Sequence, residues 1–242
     1  MTHDAEEGHE SPREIPRSDL PIGRAAFLGM IGVGVGAIFV APSIAGSVNG
    51  FFSRAIPDPI SSAVSGGGWR IYSVAPPMPT FDPNGYSLSI GGLVERPQTL
   101  SWPQVAALPG VEDVSDFHCV TGWSVLDVRW EGIRPATIIE MVRPLPSARY
   151  VSFISLEAPY ADQISLEQFQ LEDVMVARNM DGRPLKRVHG APLRVIIPQM
   201  YGYKGVKWLT AIRFDAEPGL GFWEQRGYDV NAWVGRSNGI AA

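Results

Sequence analysis

DFHCVTGW, residues 116–123, holds the only cysteine of the 242-residue chain, and the role given to Cys119 decides how the rest is read. A single thiol closes no intramolecular disulfide and cannot build a cysteine-only zinc or iron–sulfur site. No C-x-x-C-H occurs, which excludes covalent haem of the c type. Of the four histidines, His3 and His9 lie in a polar tail, which leaves His118 and His189 for the folded part. A metal held by several His and Cys ligands is therefore not expected. A lone cysteine is most often a small, buried apolar side chain. Two features weigh against that role here. Cys119 ends a strand-like run and leads into Val-Thr-Gly, where a turn lets a side chain face a cleft. An exported chain with one unpaired thiol also invites oxidation unless the sulfur is occupied, and soft thiolate suits a soft, high-valent metal.

Downstream lies RPLKRVHGAPLRVIIPQMYGYKGVK, residues 183–207, with Arg183, Lys186, Arg187, Arg194, Lys204 and Lys207 and no carboxylate. The chain as a whole carries a formal charge of −5, which argues against a general nucleic-acid binder. A charge run is usually a solvated face. These cations, however, are interleaved with Gly, Pro and Tyr. Arg offers a planar fork to phosphate, Lys a point charge, and Gly lets backbone N–H groups approach an anion. On the residues alone an anion site and a solvated face stay equally open.

Composition places these stretches in an α+β domain. With 45% hydrophobic residues, 26 glycines and 21 prolines, the chain suits one sizeable core of short strands and a few helices. Residues 1–22 form a polar, proline-containing tail. Residues 23–48 contain the uncharged run Ala25–Ala41 and read as a transmembrane anchor or a twin-arginine-like signal, with Ala25 where the second arginine belongs. Cleavage after Ala45 is compatible with Ser43-Ile44-Ala45. The arginines before the run (Arg13, Arg17, Arg24) outnumber those soon after it (Arg54, Arg70), which favours an extracytoplasmic catalytic domain. GVGVGA within the run lacks the strand that a dinucleotide fingerprint needs, and Gly32 and Gly36 instead permit close helix packing. Residues 49–68 read as a linker and 69–242 as the folded domain. YSLSI alternates like a strand leading into a Gly91-Gly92 turn. Ser101 caps a short helix with proline in its first turn, Pro135 opens another through Met141, and four further runs (RYVSFISL, DVMVARNM, PLRVIIP, VKWLTAIRF) are strand-like. Asp181-Gly182 marks a tight turn. Trp123, Trp130 and Trp208 are expected in the core, Asp127 and Glu131 at the surface or in turns.

FHCVTGW, then VRWEG, HGAPLR, YGYKGVKWL and finally GFWEQRGY, in that order, resemble the molybdopterin-binding domain of the sulfite oxidase superfamily across nearly all of residues 69–228. The likeness is greatest to single-domain exported bacterial forms such as the periplasmic methionine-sulfoxide reductase catalytic subunit. It implies a mixed-sheet fold with short helices and a molybdenum–molybdopterin cofactor. It further implies that Cys119 ligates the metal, that His189 lies against the pterin, and that Arg194, Gly205, Val206 and Lys207 hold the phosphate end. Ser155 and Tyr72 match looser cofactor-lining positions, and Tyr160 falls where sulfite oxidases carry a catalytic tyrosine facing substrate. Arg129 and Arg187 are candidates for the arginines that surround the substrate.

The resemblance implies oxygen-atom transfer at a small anionic or dipolar sulfur centre, with electrons exchanged with a separate cytochrome-like protein in the membrane or outside the cytoplasm. The N-terminal helix would hold the domain at the membrane. The chain runs only to Ala242, so the C-terminal dimerisation domain of sulfite oxidases is not expected and a monomer is. Two rivals remain: a cell-envelope Cys/His acyl-transfer enzyme, in which His189 rather than the adjacent His118 would face Cys119, and a tethered interaction domain without cofactor.

Overall fold

The computed structural model describes residues 63–64 and 68–236. The tail, the anchor or signal and most of the linker fall outside the described residues. Among those described, no helix is long and apolar enough to cross a membrane.

Two five-stranded sheets carry the chain. A short ladder of β1 (Ala63–Val64) and β2 (Arg70–Ile71) precedes them. In β3 (Ser87–Gly92) the alternation of YSLSI buries Leu88 and Ile90 and exposes their neighbours. The strand runs on through the expected Gly91-Gly92 turn. A Cβ at Gly92 would meet the Phe214 nitrogen at 2.9 Å, so the missing side chain is what lets the two backbones pair here. β4 (Gln98–Ser101) folds back on β3 and leads into α1 (Trp102–Ala106), with Ser101 and proline where the sequence predicts them. β5 (Val111–Cys119) and β6 (Trp123–Ile133) form a long hairpin, and α2 (Pro135–Val142) follows.

β7 (Tyr150–Ser155) buries three consecutive residues, as a central strand covered on both faces does. β8 (Ala161–Ser165) and α3 (Leu166–Phe169) come next, with Ser165 capping the helix through the Gln168 N–H at 3.0 Å. β9 (Met175–Met180) turns at Asp181-Gly182, both in the left-handed region, into β10 (Arg183–Pro184). β11 (Arg194–Ile196) and β12 (Leu209–Asp215) complete the set.

The first sheet has the order β4-β3-β12-β7-β8, with only β3 and β12 parallel. The second has β10-β9-β6-β5, with β11 also on β9. The main core gathers Leu88, Ile90, Ile133, Phe153, Leu193 and Phe214. A second cluster holds Trp69, Trp130, Met175 and Ile196, with Phe117 and Trp123 packed against it. Trp130 and Trp208 are core residues as expected, but Trp123 is only half-buried and faces a cleft. Glu131 is not a free surface group either: it pairs with Arg178 at 3.1 Å and accepts from Asn179 at 2.6 Å, which hold its carboxyl below the usual range.

Candidate functional site

Beside the second cluster lies a cleft that is open to solvent at its mouth. One wall is the end of the β5–β6 hairpin. Gly122, with φ near +90°, closes a three-residue turn whose N–H returns to the Cys119 carbonyl at 3.0 Å. Cys119 thus stands at the strand's last position, facing the cleft, with the Thr121 hydroxyl 3.2 Å from its sulfur. Burial pushes the thiol's pKa up, and Thr121, the charge of Arg70 and the indole of Trp123 pull against that rise.

The opposite side is cationic. His189, Arg194, Gly205 and Lys207 all line it. Arg194 is 3% exposed and lies between the rings of Phe117 and Trp130, 5.3 and 5.4 Å from their centroids. One of its nitrogens donates to the His189 carbonyl at 3.3 Å, whereas its Nε is buried without a partner. His189 Nδ1 is likewise buried and unpartnered. Lys207 donates to the Tyr72 carbonyl at 2.5 Å and sits 4.2 Å over the Trp208 ring. Burial, with Arg194's charge beside it, brings Lys207 down to about 7, and burial brings Arg194 to about 10. Burial and the same cations push His189 down to about 4, so it is a neutral ring. Gly205 admits the Val195 carbonyl, which a Cβ would meet at 2.8 Å.

The third wall carries Glu157, which sequence reasoning missed. Its Oε1 accepts from Ser73 Oγ, from the Val74 N–H at 2.9 Å and from the Ala75 N–H at 3.2 Å. The carboxylate thereby pins the strap after β2 over the cleft. Tyr160 lines the cleft too, but its hydroxyl donates to the Tyr203 carbonyl at 2.5 Å. Tyr72 contributes lining and the carbonyl that receives Lys207.

Other expected positions lie elsewhere. Ser155 does not line the cleft: its hydroxyl donates to the Lys207 carbonyl at 2.7 Å and accepts from the Glu157 N–H at 2.9 Å. Val206 is buried in the main core. Arg129 and Arg187 are not on the cleft, and Arg187 is held by the carbonyls of Met78 and Pro79. The arginine at the mouth is Arg70, counted in the sequence only for its side of the membrane. Of the basic run, Arg183, Lys186 and Arg187 are exposed, and Lys204 is buried between two carboxylates.

These groups fit an anionic, sulfur-bearing cofactor. Buried cations with unused donors, glycines that open the backbone, and a thiol at the far wall converge on one space. They suit an acyl-transfer dyad poorly. His118 bonds Ser124 Oγ at 2.8 Å on the exposed side of the hairpin, and the raised thiol and lowered His189 both oppose an imidazolium–thiolate pair. Among the described residues no group of three or more His, Cys, Asp or Glu could hold a metal ion.

Comparison with known proteins gives an independent account. The pattern of the family described as oxidoreductase molybdopterin binding domain matches residues 75–223. YuiH of Bacillus subtilis, an oxidoreductase by its name, is 40% identical over 149 residues, 62% of this chain and 75% of YuiH. The protein-methionine-sulfoxide reductase catalytic subunit MsrP of Campylobacter jejuni is 29% identical over 160 residues, 60% of this chain and 54% of MsrP. The chain thus spans about half the length of that relative. The sulfane dehydrogenase SoxCD of Paracoccus pantotrophus is similar in fold, with a TM-score of 0.59 at 18% identity over 65% of this chain and 44% of that one.

Proposed function

From the premise that the chain belongs to the oxidoreductase molybdopterin binding domain family and is an oxidoreductase, we propose that it transfers an oxygen atom to or from a small sulfur compound of the sulfite or sulfoxide type. The single observation that carries this reading is the cleft that joins the Cys119 sulfur to Arg194, buried with an unpartnered Nε, and to the half-buried Lys207.

In this reading Cys119 gives its sulfur to molybdenum, His189 offers a neutral ring to the pterin, and Arg194, Lys207 and the backbone at Gly205 hold the phosphate end. When bound, the cofactor supplies two-electron redox chemistry coupled to oxygen-atom transfer. The protein's own part is to bind, orient and exclude water. Arg194 is stacked between two rings and loses little freedom on meeting a phosphate. Glu157 holds the strap that walls off one side. Arg70, exposed at the mouth beside Cys119, replaces Arg129 and Arg187 as the cation that attracts an anionic or dipolar substrate. Tyr160 narrows the same space, its hydroxyl oriented by the Tyr203 carbonyl. With one cysteine in the chain, electrons come from or go to a separate redox protein of cytochrome type. Residues 23–48 act as anchor or export signal and keep the domain near that partner outside the cytoplasm.

The test is protein produced with molybdate available. Stoichiometric molybdenum and extractable pterin are expected, with turnover of sulfite or a small sulfoxide. Cys119→Ala should remain folded and lose turnover. Full activity in that variant with molybdenum still bound, or a wild type devoid of the metal, would overturn the reading.

A further inference from the structure

Among the described residues that line the cleft, three buried side-chain nitrogens lack a hydrogen-bond partner. Two, Arg194 Nε and His189 Nδ1, lie on the cationic side already assigned to the pterin and phosphate. The third is the indole Nε1 of Trp123, at the Cys119 end.

Trp123 is fixed there twice over. The β5–β6 register sets it directly opposite Cys119, and residues opposite one another across two strands project from the same face. Its ring is then wedged by Phe117, 5.7 Å between centroids, and by Trp69, 6.2 Å away and nearly perpendicular. A buried indole N–H normally finds an acceptor, as Trp208 does with the Arg187 carbonyl at 2.8 Å. Trp130 Nε1 also lacks one, but that residue lies in the core and does not line the cleft. The residue paired with Trp123 across the turn is Cys119, and both line the cleft. As a thiol, Sγ is a weak acceptor; as a metal-bound thiolate it is a charged one, and hydrogen bonds to charged groups are the stronger kind.

Resting on the cofactor reading above, we propose that Trp123 is a positioning residue whose indole N–H donates to the metal-bound Cys119 sulfur and draws electron density from it. A hydrogen bond to a ligating sulfur lowers its donation and raises the metal's reduction potential. Trp123→Phe keeps an aromatic ring between Phe117 and Trp69 and removes the donor.

The experiment uses protein loaded with molybdenum and pterin, titrated potentiometrically with the paramagnetic metal state followed by electron paramagnetic resonance. Wild type and Trp123→Phe are compared at equal metal content. The expected result is a lower potential in the variant. The ratio of reduced to oxidised metal at a fixed poise should change by about tenfold, or about 59 mV for a one-electron step. Equal potentials at equal loading overturn the role of Trp123 while leaving the cofactor reading intact; a wild type without molybdenum removes both. Should the Phe variant not accumulate folded, wild-type protein carrying ¹⁵N-tryptophan decides. A hyperfine coupling from an indole N–H to the metal supports the proposal, and its absence overturns it.

Discussion

Lys204 is the residue where charge counting and packing part company. In the sequence it is one of six cations in a carboxylate-free run. In the fold its ammonium, 1% exposed, meets Asp162 Oδ1 at 2.6 Å and Glu224 Oε1 at 2.5 Å. Asp162 and Glu224 come from β8 and from a turn after β12, so no local spacing announces the pairing. One cation between two carboxylates leaves an excess negative charge in a dry place, and each carboxylate keeps one unpartnered oxygen. Burial and the neighbouring Glu224 charge push Asp162 up to about 8 despite Lys204 beside it. The groups facing it include Tyr160 and Tyr203, whose own pKa values rise through burial first and then under the same negative charge. The folded pKa of Asp162 thus lies above the unfolded carboxylate value, so its contribution to stability is full below about pH 4 and lost as pH rises through about 8. Urea denaturation between pH 5 and 8 should show stability falling with pH, and Asp162→Asn should flatten that slope. Lys204→Met strands both carboxylates and should cost about 3–5 kcal/mol at neutral pH by the same measurement.

At the scale of elements, what the sequence shows depends on whether a strand has one apolar face. β3 alternates, α1 carries proline in its first turn after Ser101, and α2 opens at Pro135, so their positions are legible from residues 86–90, 101–107 and 135–141. β5 is legible only at its end, where Cys119 closes a strand-like run: Glu112, Asp113, Ser115 and Asp116 give the rest no apolar stripe, and most of the strand is half-exposed. β8 is hidden for the opposite reason, because it buries Asp162 and Gln163. The loop between β10 and β11 shows a subtler limit. Gly190 reads as a glycine that lets backbone near an anion. Its position instead requires φ near +103°, and a Cβ there would meet the Lys207 Cβ at 2.8 Å. The glycine places Lys207, and Lys207 places the charge. Gly190→Ala should therefore destabilise by about 1–3 kcal/mol through backbone strain alone. It should also lower molybdenum content more than a mutation of equal stability cost in α2, such as Ile138→Val. Equal metal content in the two would show that the loop's effect is only on folding.

For the molecule as a whole, a chain of net charge −5 gathers buried and half-buried cations around one cleft. Arg194, Lys207 and His189 are costly to gather in one place, because each loses water and their charged forms would repel; the depressed pKa values of all three, burial first, express that cost. A core built for stability alone would not contain them. Lys207→Met tests this directly. The substitution removes a partly buried cation while retaining an apolar stem of similar length over Trp208. It also loses the hydrogen bond to the Tyr72 carbonyl, worth about 1 kcal/mol. The two changes oppose each other, so the variant purified without cofactor should unfold within about 1 kcal/mol of wild type or be more stable. Loading should reverse the order. A ligand that binds only the folded state stabilises by RT ln(1 + [L]/Kd), and under the proposed assignment the variant lacks a phosphate contact and binds the cofactor more weakly. Thermal denaturation of both proteins, prepared with and without molybdenum, measures all four states. If the variant were destabilised to the same extent in both preparations, Lys207 would be a structural lysine that merely borders the cleft. A cost confined to the loaded protein assigns its charge to the ligand.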